Sequence, residues 1–454
     1  MRIYDTSRNE IKGKTVCMAH LEGDGDVLVA PEGLGFQGKV QDGCVLAPLN
    51  HENACVLRKL FPFTAPTRVL TAPRSFGVGD RLGLACPGHL RVFRKYDARP
   101  VLVQQSIREL DLTGRRYEDV LDCVTFAVFR EGFKDGFGAD GDHLKKPEDI
   151  EYALGLGFTM ITLDLSDHIR EDREGEIAPY REIYLNRVFD VGEGQTIRFD
   201  EASLKKCAGI YGPALDFAVE MYDRFLRDGK YAADFEISID EISVPTSPEQ
   251  HFFVANELTR RGVAFATIAP RFIGEFQKGI DYIGDLGRFT AEIEVHAQIA
   301  RHFGYKLSIH SGSDKFSVFP AIGKATREVF HVKTAGTNWL EAMKIVAEKD
   351  PGLYRQTHAF ALAHFFEATK YYHVTTNLNN IPALDDLTDA ELPELFRNND
   401  ARQLIHITYG LILQNPALKR PLYDLWTREA EAYAQAIDGH ISRHLQALGC
   451  PERK

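Results

Sequence analysis

The chain has 454 residues, of which 44% are hydrophobic, and its formal net charge is −11. No apolar run approaches the roughly 18 residues needed to cross a bilayer, which argues against a membrane protein and allows a large globular fold. The negative charge and the lack of a basic stripe argue against a nucleic-acid partner, because phosphate binding rests on clustered Lys and Arg. A small anionic substrate stays compatible with this charge.

The cysteines and the N-terminus indicate a cellular compartment. Residues 1–5 do not begin an apolar secretory segment, and the seven cysteines are scattered without CxxC spacing. These features predict a cytoplasmic protein with the cysteines as small core residues. A homo-oligomer is compatible with the sequence, and neither a nucleic acid nor a membrane is expected as a partner.

Eight apolar segments predict strands, and helical patterns separate most of them. The predicted strands are 69–72, 101–106, 123–130, 158–165, 235–240, 264–269, 306–310 and 329–333. The predicted helices are 87–96, 147–156, 213–227, 248–261, 288–303 and 338–348. Strands that alternate with crossover helices imply a parallel sheet, and eight such units favour a closed (β/α)8 barrel of the TIM type.

Two segments lie outside this repeat. Residues 1–67 contain short apolar pieces between turns and predict a small β-rich N-terminal extension. Residues 350–454 carry helical patterns throughout and predict a helical C-terminal extension packed on the barrel. The catalytic barrel is therefore expected at 68–349, with a long charged loop at 169–212 that is typical of a lid or a disordered segment.

Ionisable residues follow the predicted strands, and the carboxyl ends of barrel strands are where such folds carry catalytic sites. Alternation along a strand sends neighbours to opposite faces, so Glu236, Ser238 and Asp240 share one face. The same alternation gives polar inward pairs in three other strands. These pairs are Thr162 with Asp164, Ser308 with His310, and His331 with Lys333.

Histidines and carboxylates from different strands predict a divalent metal ion such as Zn²⁺ or Mn²⁺. The expected ligands are Asp164, Asp240, His310 and His331. A lone histidine at a strand end is more often a structural residue, so the hypothesis rests on the conjunction of all four. A bulge at the strand end would exchange Asp240 for Glu241.

A glycine-rich segment at 136–141 matches the GxGxxG pattern of dinucleotide-binding proteins. The true motif opens its helix within the glycines, whereas here Pro147 lies six residues beyond them. Asp140 and Asp142 would also repel a pyrophosphate. No NAD is therefore expected as a cofactor.

Other polar residues near strand ends are candidates for substrate contacts. The glycine-rich segments at 77–83 and 136–141 are interpreted as turns that bring side chains over a substrate. Hydroxyl-rich turns after the last two strands could bind an anion through backbone N–H groups, although plain helix capping explains them equally well. The residues expected to contact substrate are Arg81, Ser106, Asp140, Asp142, His143, Lys145, Thr162, His168, Arg271, Ser311 and Lys315.

Several motifs together resemble the tagaturonate epimerase family. The likeness lies in residues 75–83 followed by 87–89, in 138–145, in 164–168 and in 331–337, and it spans about residues 70 to 380. The resemblance implies a metal-dependent enzyme of hexuronate catabolism that interconverts D-tagaturonate and D-fructuronate.

The chemistry of that reaction suits the predicted site. The inverted carbon lies β to the ketone, so its hydrogen is not acidic and simple deprotonation would face too high a barrier. Retro-aldol cleavage between the α and β carbons, rotation of the aldehyde and re-addition would invert this centre, with a divalent metal stabilising the enediolate. We expect Glu241 or Asp167 as the general base and Lys333 as a residue that steadies oxyanion charge.

Two alternatives stay open at this point. A metal-dependent sugar isomerase or class II aldolase on the same barrel would use the same ligands, but would move a proton at the α carbon or release a fragment. A sugar-sensing binding protein would keep the barrel without catalysis, and the number of ionisable groups at strand ends argues against it.

Overall fold

The computed structural model describes residues 1–23 and 25–453. The chain begins with an antiparallel sheet of five strands. Its strands are β1 (Arg2–Ile11), β2 (Lys14–Leu21), β3 (Gly25–Pro31), β4 (Lys39–Gln41) and β5 (Cys44–Pro48). One face of the sheet buries Val16, Met18 and Leu28 in a small core of its own. The predicted β-rich N-terminal segment is confirmed.

Eight parallel strands then close into a barrel, which confirms the predicted (β/α)8 fold. The first four barrel strands are β6 (Arg74–Val78), β7 (Arg99–Ser106), β8 (Gly138–Leu144) and β9 (Met160–Asp164). A separate hairpin of β10 (Val188–Gly192) and β11 (Gln195–Arg198) follows them in the chain. The last four barrel strands are β12 (Asp234–Ile239), β13 (Thr267–Pro270), β14 (Lys306–Ile309) and β15 (Phe330–Thr334). The ring closes where β15 pairs with β6 and β12 pairs with β9. All eight carboxyl ends therefore meet at one mouth.

Helices surround the barrel and continue to the C-terminal region. Up to the barrel's last crossover they are α1 (His51–Leu60), α2 (Cys86–Lys95), α3 (Ile107–Thr113), α4 (Tyr117–Glu131), α5 (Pro147–Gly155), α6 (Arg181–Tyr184), α7 (Glu201–Phe225), α8 (Pro248–Arg260), α9 (Leu286–Phe303), α10 (Phe319–Ala325) and α11 (Thr337–Lys349). The helical C-terminal region holds α12 (Pro351–Ala368), α13 (Asn399–Ile407), α14 (Tyr409–Gln414), α15 (Pro416–Arg428) and α16 (Ala430–Ala447). Short 3-10 helices lie at Pro62–Thr64, Leu378–Asn380, Leu384–Asp386 and Asp389–Arg397.

The cysteines are free, and Cys17, Cys86, Cys207 and Cys450 are buried. Among the described residues, no helix is both long and apolar enough to span a membrane.

The third barrel strand differs from the prediction. Segment 123–130 lies in α4, because this helix is buried on two sides and its apolar residues therefore form an unbroken run. Val124 and Val128 face the barrel core, whereas Phe126 and Phe129 pack against the N-terminal sheet. The strand is instead β8, in the glycine-rich segment that the sequence predicts as a turn.

Glycine is needed in β8 because of close packing. A Cβ on Gly141 would lie 2.8 Å from Leu144 Cδ1 and 3.1 Å from Ile161 Cδ1.

The first barrel strand also differs from its predicted position, since residues 69–72 precede β6 and end in a turn.

The segment 169–212 is also more ordered than the expected loop. It contains α6, the β10–β11 hairpin and the first turns of α7. The ring of Tyr184 packs 5.2 Å from that of Phe253 on α8, and Phe189 packs 4.8 Å from Phe252, so this part of the segment lies against the outside of the barrel.

The division of the chain into separate domains at 67/68 and 349/350 stays a prediction. The barrel helices and the C-terminal helices share one hydrophobic core. In that core Trp339 of α11 packs edge to face on Trp426 of α15, with 5.7 Å between ring centroids.

Candidate active site

Charged and polar side chains occupy the middle of the barrel, where most barrels of this type carry apolar layers. Lys333 of β15 donates a hydrogen bond to Thr162 Oγ1 at 2.6 Å, and its Nζ lies 2.7 Å from Asp140 and 3.1 Å from Glu236. It also forms an ion pair with Asp142. Burial alone would lower the pKa of Lys333, but these carboxylates raise it well above its ordinary value. The side chain is therefore a protonated ammonium.

A group of ionisable residues follows at the barrel mouth, directly above this network. His310 Nε2 lies 2.8 Å from Glu236 Oε1, and His310 Nδ1 lies 3.0 Å from Asp240 Oδ1. The ring of His143 stands edge to face on that of His310, with 4.9 Å between centroids, and its Nδ1 lies 3.3 Å from Asp164 Oδ2. Burial alone would lower the pKa of His310, but Asp240 and Glu236 raise it to about 10.

The residues His143, Asp164, Asp240, Glu241 and His310 are called the mouth cluster below. Within it, His143, Asp240 and His310 place ligand atoms within 4.8 Å of one another, as do His143, Asp164 and Glu241. Imidazole nitrogens with carboxylate oxygens are the donors that Zn²⁺ and Mn²⁺ accept in proteins. The donor set therefore fits a divalent cation.

The backbone of His143 has an uncommon conformation. Its φ of 53° lies in the left-handed region that side chains other than glycine rarely adopt. Burial alone would lower the pKa of His143, but Asp142 and Asp164 raise it to about 9.

A cavity of about 350 Å³ opens beside the mouth cluster and is called the mouth cavity. Its volume falls in the range of roughly 300–1,000 Å³ that is typical of small-molecule sites. Asp240, Glu241 and His310 line this cavity. Tyr371 and Tyr372, which follow α12, also line it, so the C-terminal region contributes to the site.

Comparison with known proteins identifies the family. A family model described as tagaturonate epimerase matches residues 13–448. The chain belongs to the tagaturonate epimerase family. A tagaturonate/fructuronate epimerase of Thermotoga maritima is 45% identical over 469 residues, which cover 98% of this chain and 96% of the relative.

Solved structures agree with this assignment. Crystal structures of fructuronate-tagaturonate epimerase UxaE from Cohnella laeviribosi, one native and one complexed with one glycerol, are each 49% identical to this chain. Each gives a TM-score of 0.96 and covers 99% of this chain and 97% of its own. The resemblance seen in the sequence is therefore confirmed, and with it the expectation of an isomerase that acts on carbohydrates.

The structure brings many of the predicted site residues of this epimerase-family chain together. Asp140, Thr162 and Lys333 meet in the middle of the barrel, and Asp164 contacts His143 above them. Lys145 stands at the rim, with its Nζ 3.7 Å from Asp164. The residues that line the mouth cavity or the pocket that adjoins it are Ser106, Asp142, His143, Asp240, Glu241, Arg271, His310, Ser311 and Lys333.

His331 does not join the mouth cluster, in contrast to its prediction as a metal ligand. It lies two residues before Lys333 on β15 and is fully buried one layer deeper in the barrel. Its Nδ1 lies 2.9 Å from Ser75 Oγ, and burial lowers its pKa to about 3. In this structure it contacts Ser75 rather than the mouth cluster, and its role as a metal ligand stays a prediction.

Two further predicted residues lie away from the mouth cavity because they follow β9 by several positions. The side chain of Asp167 is 63% exposed and pairs with Lys145 at 3.0 Å. The ring of His168 stacks on Phe217, with 4.0 Å between centroids. Neither residue lines the mouth cavity or the adjoining pocket.

Arg81 and Lys315 are buried, but their N–H groups bind other groups of the protein. The Arg81 guanidinium pairs with Glu109 at 2.7 Å and lies over the ring of Tyr409 at 3.7 Å. Lys315 Nζ donates three hydrogen bonds, at 2.6 to 2.8 Å, to the carbonyl oxygens of Gln277, Ile280 and Ser313. Both side chains hold loops at the mouth in place rather than face the mouth cavity.

Sequence reasoning missed Glu236, Arg108 and Lys278 as site residues. Glu236 shares its strand face with Asp240, so alternation along β12 carries the signal, although no role follows from that alone. Arg108 lies on α3 and Lys278 in the connection after β13, and both line the mouth cavity. Neither is at a strand end, so no pattern in the sequence marks them.

Proposed function

We propose that this chain interconverts D-tagaturonate and D-fructuronate by breaking and re-forming the bond between the α and β carbons of the substrate. The observation that supports this most directly is the mouth cluster beside a cavity of suitable size, in a chain of the tagaturonate epimerase family. The β carbon carries no acidic hydrogen, so cleavage of the carbon–carbon bond offers a route that direct deprotonation does not.

We further propose that His143, Asp164, Asp240 and His310 hold a divalent cation such as Zn²⁺ or Mn²⁺. When bound, such a cation would supply Lewis-acid stabilisation of negative charge on the ketone oxygen. Glu236 orients His310 through its hydrogen bond at Nε2, which leaves Nδ1 directed toward Asp240. Carboxylates that fix a histidine in this way are a common support of metal sites.

Glu241 is the proposed general base. It follows Asp240 at the end of β12 and lines the mouth cavity. It takes the proton from the β-hydroxyl, the bond between the α and β carbons breaks, and the electron pair passes to the ketone side as an enediolate. The aldehyde rotates, the pair re-forms the bond on the opposite face, and the base returns the proton. Lys333, at the floor of the adjoining pocket, steadies the oxyanion charge.

Assays of the purified protein test this function. Incubation with D-tagaturonate is expected to yield D-fructuronate, and chelation followed by elemental analysis is expected to give a metal-free protein without activity. Addition of Zn²⁺ or Mn²⁺ should then restore turnover. Full turnover by protein shown to contain no divalent metal would refute the metal part of the proposal, whereas no conversion of D-tagaturonate by metal-loaded protein would refute the reaction itself.

A further inference from the structure

Three cations line the mouth cavity, Arg108, Arg271 and Lys278, and of these Arg108 and Lys278 also line the adjoining pocket. Lys278 Nζ donates a hydrogen bond to Ser311 Oγ at 3.2 Å. The guanidinium of Arg108 lies over the ring of Tyr372 at 5.0 Å and reaches the Tyr371 carbonyl oxygen at 3.4 Å. In the part of the chain that the structure describes, neither has a carboxylate oxygen within the 4.0 Å of an ion pair.

Some other cations near the mouth have a carboxylate partner, in contrast to Arg108 and Lys278. Arg81 pairs with Glu109 at 2.7 Å, and Arg402 pairs with Asp314 at 2.8 Å. A charge removed from water is costly unless a counter-charge or several hydrogen bonds compensate it. Lys278 is half-buried, whereas Arg108 is exposed. Burial lowers the pKa of Lys278 and the charge of Arg108 acts in the same direction, while Glu109 and Glu241 raise it. An anion placed between the two side chains would stabilise both positive charges.

We propose that Arg108 and Lys278 bind the carboxylate of the substrate and hold the aldehyde fragment in the mouth cavity while it rotates. The inference rests on the proposed function, because cleavage between the α and β carbons leaves the carboxylate on the aldehyde fragment. The two cations line the same cavity as Asp240, Glu241 and His310, so one substrate can reach both groups. The ketone end then faces the mouth cluster and the carboxylate faces Arg108 and Lys278.

Retention of the fragment distinguishes an epimerase from an aldolase. If the aldehyde leaves before the bond re-forms, the enediolate takes up the proton held by the base and is released as dihydroxyacetone. No oxidant or reductant is required, since the same bond is broken and the same proton is moved. Loss of the anchor should therefore convert part of each epimerisation cycle into cleavage.

The experiment compares Arg108→Gln and Lys278→Gln with the charge-conserving variants Arg108→Lys and Lys278→Arg. Lys205→Gln, on the exposed face of α7, serves as a control that also removes one positive charge. Folding is verified by circular dichroism and metal content by elemental analysis. The measurements are kcat and KM for D-tagaturonate, and the dihydroxyacetone released per epimerisation.

Both glutamine variants are expected to raise KM for D-tagaturonate about tenfold or more, because each removes a charge-assisted hydrogen bond. They should also release dihydroxyacetone in a larger fraction of cycles, whereas the charge-conserving variants should recover part of the affinity. An unchanged KM in both folded, metal-loaded glutamine variants would overturn the carboxylate subsite.

A raised KM without any dihydroxyacetone would support the subsite and overturn fragment retention. Failure of the proposed function is distinct from both results, because it appears as a lack of turnover in the wild-type protein.

Discussion

Glu236 accepts a hydrogen bond from His310 Nε2 at 2.8 Å, and this contact joins the middle of the barrel to its mouth. Glu236 also accepts hydrogen bonds from Lys333 at 3.1 Å and from Thr267 at 2.6 Å. Thr162 of β9 donates a further hydrogen bond to it at 3.1 Å, so the carboxylate has partners on four strands and one well-defined position. It therefore fixes which imidazole nitrogen of His310 is directed toward the mouth.

Replacement of Glu236 tests this coupling. Glu236→Gln keeps the shape of the side chain but removes its charge, so His310 loses its fixed orientation. The affinity for the divalent metal is expected to fall about 10-fold to 100-fold, as is typical when the carboxylate behind a liganding histidine is lost. Competition with a chelator measures this affinity. Thr267→Ser, which keeps the hydroxyl group, is the matched control, and an unchanged affinity in Glu236→Gln would contradict the coupling.

The histidines of the mouth cluster are expected to differ from His331. His143→Ala and His310→Ala should each lose most of the bound metal and nearly all epimerase activity, because they remove proposed ligands. His331→Gln should retain its metal, since this side chain contacts Ser75 below the mouth. Elemental analysis of the folded variants measures their metal content. Loss of metal from His331→Gln to the extent seen in His310→Ala would restore His331 as a ligand.

A pair of amide variants tests whether Glu241 or Asp167 is the general base. Glu241→Gln should lower kcat about 10²-fold to 10⁴-fold, because it removes the proposed base, while metal content stays close to that of the wild type. Asp167→Asn should retain most activity, since the Asp167 side chain is 63% exposed and pairs with Lys145 outside the mouth cavity. Steady-state kinetics of both variants provide the measurement, and the reverse pattern would assign the base to Asp167.

The solvent isotope experiment distinguishes cleavage from deprotonation. In a retro-aldol path the hydrogen on the inverted carbon stays with the aldehyde and does not exchange with solvent. Turnover in D₂O is therefore expected to leave that position unlabelled, with only a small isotope effect when the same carbon carries deuterium. Mass spectrometry or NMR of the product gives the label, and deuterium at the inverted carbon would rule the path out.

The buried pair of Arg81 and Glu109 should stabilise the fold. Arg81→Met leaves Glu109 as an unpaired buried charge, which typically costs about 3–5 kcal/mol in the free energy of unfolding. The double variant Arg81→Met, Glu109→Met should recover a large part of that loss. Denaturant unfolding of the three proteins measures both values. A single variant as stable as the wild type would show that the pair contributes little.

The barrel was predictable from the sequence because six of its strands lie where an apolar or alternating pattern predicts them. β8 was not, since its sequence from Gly138 to Leu144 has two aspartates on its inner face and glycines where other strands carry branched side chains. Conversely, α4 is apolar on two faces and has the composition of a buried strand. Periodicity alone cannot distinguish a helix covered on both sides from a strand covered on both sides.

The candidate site was predictable only where strand geometry controls it. Asp240 and His310 follow from alternation along their strands, and both lie at the mouth. The same alternation places His331 inside the barrel but does not indicate how far its side chain lies from the mouth. That distance is what separates His331 from the mouth cluster in the structure. Arg108 and Lys278 approach the mouth cavity from a helix and a connection, whose paths depend on tertiary packing.

The ionic centre of the barrel has a consequence for protein engineering. A barrel filled with leucine and valine can be made more heat-resistant by better packing of its middle, but here an apolar replacement of Lys333 or Glu236 would leave other charges without partners. Gains in thermal tolerance are therefore to be sought in the outer layers, such as the contact between α4 and the N-terminal sheet.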